Sequence, residues 1–101
     1  MRILAIEIRL NLPYAHSLKD KRRVRQSLMA KLKKRISLSV RETDLQDAVQ
    51  DLNLSAAFVC LTGAEGQQYV QVIQDCVYDF CLSESCLIQS FYWDIVDVFN
   101  T

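Results

Sequence analysis

Leu4, Ile6, Ile8, Leu10 and Leu12 alternate with Ile3, Ala5, Glu7, Arg9 and Asn11. A period of two predicts a strand with one strongly apolar face. Pro13 ends it, because proline has no amide proton to give to a ladder. Ser17-Leu-Lys-Asp20 reads as a helix start. The Ser17 hydroxyl can accept from the amide of Asp20, and the Asp20 carboxylate can reach back toward the amide of Ser17. Val24, Leu28, Leu32 and Ile36 then repeat at four, widened by Leu18 and Met29, so a helix is predicted to about Arg35. Ile36, Leu38 and Val40 alternate with Ser37, Ser39 and Arg41, which predicts a second strand. Residues 42–53 are polar and read as a loop with a short helical turn. Residues 54–62 are almost wholly apolar, as in a central strand. Residues 63–66 carry both glycines and read as a break. From residue 67 to about 82, Tyr69, Val70, Ile73, Cys76, Val77 and Phe80 keep a 3.6 period and predict a second amphipathic helix, with Asp75 and Asp79 outward. Residues 87–99 are β-branched and aromatic, and read as a last strand.

The order is β-α-β-β-α-β. Two interleaved right-handed β-α-β crossovers give a four-stranded antiparallel sheet with both helices on one face, the ferredoxin-like α+β architecture. The 101 residues make one domain, 1–101. Half are hydrophobic and only two are glycine and one proline, so a packed core is expected and disorder is not. Phe91, Trp93 and Phe99 alternate with Tyr92, Val96 and Val98, so the last strand is apolar on both sides. A second copy of the chain is expected to cover one of them, which makes the protein a homodimer. No apolar run reaches the ~18–20 residues that span a bilayer. The N-terminus meets Glu7 and Arg9 early and lacks the cleavage site of a secretory signal, so a cytoplasmic location is expected.

Charge changes this picture more than composition does. All twelve Lys and Arg residues lie at or before Arg41, whereas only Glu7 and Asp20 of the twelve acidic residues do. The first 41 residues therefore carry +10 and the last 60 carry −10. Most of the cations fall on the first helix. Lys19, Arg22, Arg23, Gln26, Lys33 and Lys34 leave it opposite Val24, Leu28 and Leu32. A surface of one sign is a candidate for phosphate or for an acidic partner. The competing reading is plain pairing, with Arg23 or Lys34 facing Asp75, Asp79 or the acidic segment 42–51.

The stretch Ala15-His-Ser-Leu-Lys-Asp-Lys-Arg-Arg-Val24 resembles the YlxP-like family (domain of unknown function 503), small bacterial proteins with a ferredoxin-like fold. Ser17-Leu-Lys-Asp-Lys-Arg22 matches the family's pattern in full. Ile36-Ser-Leu-Ser-Val-Arg-Glu42 followed by Asp44-Leu-Gln-Asp47 looks like its second part. Arg25 stands where the family usually has an apolar residue, and Ala48-Val-Gln-Asp51 lacks the aromatic residue and Arg that members often carry there. Members are often encoded beside transcription, translation and ribosome-maturation genes, so the resemblance implies a part in RNA or ribosome biology.

Other chemistry finds little support. The four cysteines include no Cys-x-x-Cys, and the lone His16 is far from them in sequence. A zinc site would need unusual spacing, and the bland reading is that cysteine serves as a small buried hydrophobe. Asp44 and Asp47 are too few oxygens for a hard cation. His16 beside Ser17 lacks a third orienting group for nucleophilic chemistry. Asn11-Leu-Pro-Tyr-Ala-His-Ser17 contains no glycine to cradle phosphate as an acylphosphatase loop does. The first strand's outward set holds no aromatic residue on which an RNA-recognition motif would stack bases. The expectation is a non-enzymatic accessory protein without cofactor or metal, contacting RNA or a ribonucleoprotein through Lys19, Arg22, Arg23, Lys33 and Lys34. The alternative is a protein-interaction or structural module whose basic helix meets an acidic partner. A small hydrolase is a third, weaker reading.

Overall fold

A computed structural model describes residues 1–99. The elements are β1 (Arg2–Asn11), α1 (Leu18–Arg35), β2 (Ser39–Asp44), β3 (Asp51–Cys60), α2 (Gly63–Glu84) and β4 (Leu87–Asp97). The strands form one antiparallel sheet in the order β2-β3-β1-β4. This is the ferredoxin-like βαββαβ arrangement that the alternation of periods predicts. Leu4, Ile6, Ile8 and Leu10 face the helices, opposite Ala56, Leu54 and Leu52 of β3. Leu28 and Leu32 of α1, and Ile73, Val77 and Phe80 of α2, close the core above them.

Three boundaries differ from the sequence reading. The second strand starts at Ser39 and runs through Glu42 to Asp44, into the segment read as a loop. Its polarity misleads because Glu42 points inward, where cations neutralise it, and Thr43 and Asp44 pass through a bulge opposite Asn53. The third strand begins at Asp51, because Asn53 is fully buried yet satisfied by Arg9 and Thr43. Residues 63–66 do not break the chain. Thr62 caps α2 by accepting from the amide of Glu65, and the Glu65 carboxylate accepts from the amide of Leu61. Gly66 belongs to that first turn. A Cβ there would lie 2.8 Å from Ile95 Cδ1 and 3.2 Å from Cys60 Sγ, so its lack of a side chain lets α2 approach the sheet.

The aromatic strand sorts as its alternation predicts, except at Phe99. Phe91, Trp93 and Ile95 are opposite Ile8, Ile6 and Leu4 and so share the helix side, while Tyr92, Asp94 and Val96 share the open face with Glu7, Ala5 and Ile3. Phe99 lies beyond the strand, exposed and with φ of 63°. As an edge strand β4 is incompletely roofed, and Trp93 remains 42% exposed on the helix side.

The start of α1 follows the expected cap with one change. Ser17 Oγ accepts from the Asp20 amide at 3.1 Å, but the Asp20 carboxylate accepts from the amide of His16, not Ser17, at 2.9 Å. The hydrogen bond from His16 holds the Asp20 carboxyl below its usual range against the opposing effect of desolvation, with a further contribution from Ser17. Replacing Ser17 by Ala is expected to cost about 0.5–2 kcal/mol, measured by urea unfolding. An unchanged midpoint would show that the cap contributes nothing.

Candidate nucleic-acid interface

Helix α1 lies with one side on the sheet, a second toward α2 and a third toward β2. Its cations divide among these environments by their angle around the helix. Lys21 is 1% exposed, although no apolar neighbour could compensate an ammonium in the core. Its Nζ donates to the carbonyls of Leu45 and Ala48, both at 2.7 Å, and lies 2.7 Å from Glu42 Oε2. Three donors thus meet three oxygens. Arg25, one turn on, donates from Nη1 to Glu42 Oε1 at 2.6 Å. Oε2 makes no well-angled hydrogen bond, so the close approach of the ammonium is what neutralises it.

This cluster positions the loop between β2 and β3. Leu45 sits in the left-handed region with φ of 57°, a conformation costing a non-glycine residue roughly 1–2 kcal/mol. Its carbonyl is one of the two that Lys21 holds, and its amide donates to Asp44 Oδ1 at 2.8 Å. Gln50 laces the same loop to the start of α1 by donating to the carbonyls of Pro13 and Ala15.

The sequence reading missed Lys21 as a buried residue, since lysine in a basic run reads as solvated. One signal was present: Lys21 is at i−3 from Val24 and i−7 from Leu28, on the apolar stripe itself. The pairing anticipated for Arg23 or Lys34 with the acidic segment is also corrected. Glu42 is taken by Lys21 and Arg25 because they lie on the side of α1 that faces β2.

Lys19, Arg22, Arg23, Lys33 and Lys34 are all exposed, on the side of α1 away from the core. None of them makes an ion pair among the described residues. From Lys19 to Lys34 the row spans about 22 Å at 1.5 Å per residue. Gln26 and Ala30 occupy its middle, and no acidic side chain interrupts it. The charge of Arg23 makes a small contribution to lowering the Asp20 carboxyl. Lys34 borders a cleft between the helices with Lys31, Arg35, Cys76, Asp79 and Phe80, and Lys31 sits 5.4 Å above the Phe80 ring.

At the C-terminal end of the row, Lys33 overhangs an open groove of about 750 Å³. It is lined by Leu38, Val40, Ala57, Phe58 and Val59 together with Ser37 and Ser39. The groove exists because β2 starts opposite Ala57, leaving Phe58, Val59 and Cys60 of β3 without a neighbour on that side. Among the described residues no three His, Cys, Asp or Glu side chains gather where they could hold a metal. No helix among the described residues is long and apolar enough to cross a membrane.

A family described as "Protein of unknown function (DUF503)" matches residues 3–89. The chain belongs to this family. The DUF503 match covers every element down to the start of β4. Among curated proteins none matches the sequence. Solved structures share the fold at low identity. An amidase of the hydantoinase/carbamoylase family from Burkholderia ambifaria superposes with a TM-score of 0.68 at 8% identity, over 92% of this chain and 27% of that one. A dinuclear metal binding peptidase of the M20 family from Bacillus subtilis gives 0.58 at 7%, over 90% and 25%. A de novo designed protein with ferredoxin fold gives 0.51 at 10%, over 100% and 90%. The chain spans about a quarter of the length of the two enzymes, and the likeness is one of fold.

In this DUF503 protein, removing Lys21 leaves buried Glu42 with Arg25 as its one cation and frees two half-buried carbonyls of the loop. Lys21→Ala is expected to lower stability by about 3–5 kcal/mol in urea unfolding. Arg25→Ala should cost less, because Arg25 is partly exposed and Glu42 keeps its lysine. Equal small losses for both would contradict the assigned role of Lys21.

Proposed function

We propose that this DUF503 protein is a non-enzymatic, cytoplasmic accessory factor that binds RNA, or the RNA of a ribonucleoprotein, along α1. The observation that carries this reading is the row Lys19, Arg22, Arg23, Lys33 and Lys34, exposed and free of ion pairs while Lys21 and Arg25 of the same helix serve the fold. A row of about 22 Å can meet several consecutive phosphates of a strand. The groove beside Lys33, lined by Leu38, Val40 and Val59 and by Ser37 and Ser39, offers apolar and hydroxyl contacts to an unpaired base next to the phosphate track. Stacking on the sheet is not part of the reading, because Tyr92 is the one aromatic side chain that β4 turns to the open face.

Binding is expected to weaken with salt at a slope of about −0.7 for each phosphate neutralised on a single strand. Changing Arg22, Arg23, Lys33 and Lys34 together to Glu should abolish it without unfolding the protein, since all four are exposed. Titration with single-stranded and structured RNA at two salt concentrations measures both effects. Salt-independent binding, or none at low salt, would overturn the reading. A partner that co-purifies from lysate and survives nuclease would instead support an acidic protein on the same row.

A second copy of the chain is proposed at β4. This strand is eleven residues long, and its outer edge has no strand beside it. Edge pairing about a two-fold axis at Tyr92 would set Trp93 against the partner's Phe91 and Asp94 against the partner's Ser90, so no two carboxylates would be opposed. About 800 Å² per partner makes a stable interface. Sedimentation at micromolar concentration should give twice the monomer mass, and Trp93→Asp should shift it toward monomer. A monomer at high concentration would remove this proposal and leave the RNA reading intact.

A further inference from the structure

The C-terminus of α2 brings two cysteines together. Ser85 adopts a left-handed conformation, φ 57° and ψ 38°, and ends the helix. The Cys86 amide then reaches back to the carbonyl of Cys81 at 3.1 Å. This six-to-one hydrogen bond is that of a Schellman turn, which places the side chains of its first and sixth residues in contact, usually as an apolar pair. Here both are cysteine. Their sulfurs lie 2.9 Å apart, inside van der Waals contact, and both thiols are free and buried. Cys86 also lines a cavity of about 150 Å³ with Tyr14, Asp20, Arg23 and Glu84. That volume holds several molecules of water size, each ~30 Å³. Cys86 therefore borders a space that a small oxidant can enter, and Cys81 does not line it.

We propose that Cys81 and Cys86 are a dithiol modification site, converted to a disulfide by hydrogen peroxide and restored by a thiol reductant. The Cys86 thiolate attacks one peroxide oxygen. An S–O bond forms, the O–O bond breaks, and the departing hydroxide leaves as water with the proton that Cys86 gave up. Cys81 then attacks the sulfur of the sulfenic acid. The S–S bond forms, the S–O bond breaks, and the second hydroxide leaves as water with the proton of Cys81. Two thiols and one hydrogen peroxide become one disulfide and two waters. The cavity assigns the order, since Cys86 lines it and Cys81 does not, and the hydrogen bond between the sulfurs favours one thiolate in the pair over two. Cys60 and Cys76 lie elsewhere in the core and have no such partner among the described residues. The pairing of the two sulfurs does not depend on what α1 binds, although Arg23 of that helix lines the cavity beside Cys86.

The chain itself offers a clean test, because Glu84 lies between the two cysteines. Folded, reduced protein is treated with hydrogen peroxide, then alkylated in denaturant and cut after glutamate. Residues 66–84 should remain joined to residues 85–101 until a reductant is added, with Cys60 and with Cys76 of the joined peptide alkylated. Four alkylated cysteines after peroxide would overturn the proposal, as would a bond through Cys76 or a Cys86 sulfinic acid without any bond. In Cys81→Ser, Cys86 should instead accumulate a sulfenic acid that a cyclic 1,3-dione traps, and the joined peptide should disappear. If that variant does not fold, Cys60→Ser, in which the joined peptide must persist, tests the assignment in its place.

Discussion

The carboxylate of Glu42 sits under α1 with 8% of its side chain exposed, and the arrangement around it depends on that charge being matched. An isolated carboxylate at such a depth costs several kcal/mol in lost hydration. Lys21 and Arg25 offset the cost from one helix, four residues apart and on one face. The pairing therefore sets the rotation of α1 about its own axis. With Lys21 turned inward, Lys19, Arg22 and Arg23 must turn outward, and Lys33 and Lys34 follow four turns later. The same ammonium holds two carbonyls of the loop between β2 and β3, so one side chain positions both the helix and the loop.

The opposite charges of the two parts of the chain are resolved only in part by pairing. Besides Glu42, Asp97 meets Arg2 and Asp44 meets Arg9, at 3.3 Å and 3.5 Å, both on the surface where such pairs contribute little. Most of the acidic residues and most of the α1 cations remain apart. A helix whose exposed cations are neither paired nor interrupted keeps a positive field into solvent, and that field is the physical basis for assigning it a polyanion.

The family motif Ser17-Leu-Lys-Asp-Lys-Arg22 divides along the same line. Ser17 and Asp20 cap the helix and Lys21 neutralises Glu42, so three of its six residues serve the fold. Leu18, Lys19 and Arg22 are exposed. A fold shared with designed proteins and with parts of larger enzymes is a scaffold, and its activity has to come from what such exposed residues meet.

The alternation of β1, the capped helix with leucines at every fourth position and the aromatic last strand were legible in the sequence, because side-chain period follows directly from backbone geometry. So were the exposed cations Lys19, Arg22, Arg23, Lys33 and Lys34, which lie opposite the leucine stripe. What the sequence could not show was the fate of polar residues at inward positions. Lys21, Glu42 and Asn53 look solvated by type, and only the contact of α1 with β2, and of β3 with its neighbours, tells that each has a partner. The extension of β2 and β3 through a polar stretch follows from those partners. The meeting of Cys81 and Cys86 likewise depends on Ser85 turning left-handed, a choice made where α2 docks on the sheet and β4 must begin. Local sequence determines the period of each element; the neutralisation of a buried charge and the meeting of two sulfurs are properties of pairs, and pairs exist only once the elements have packed.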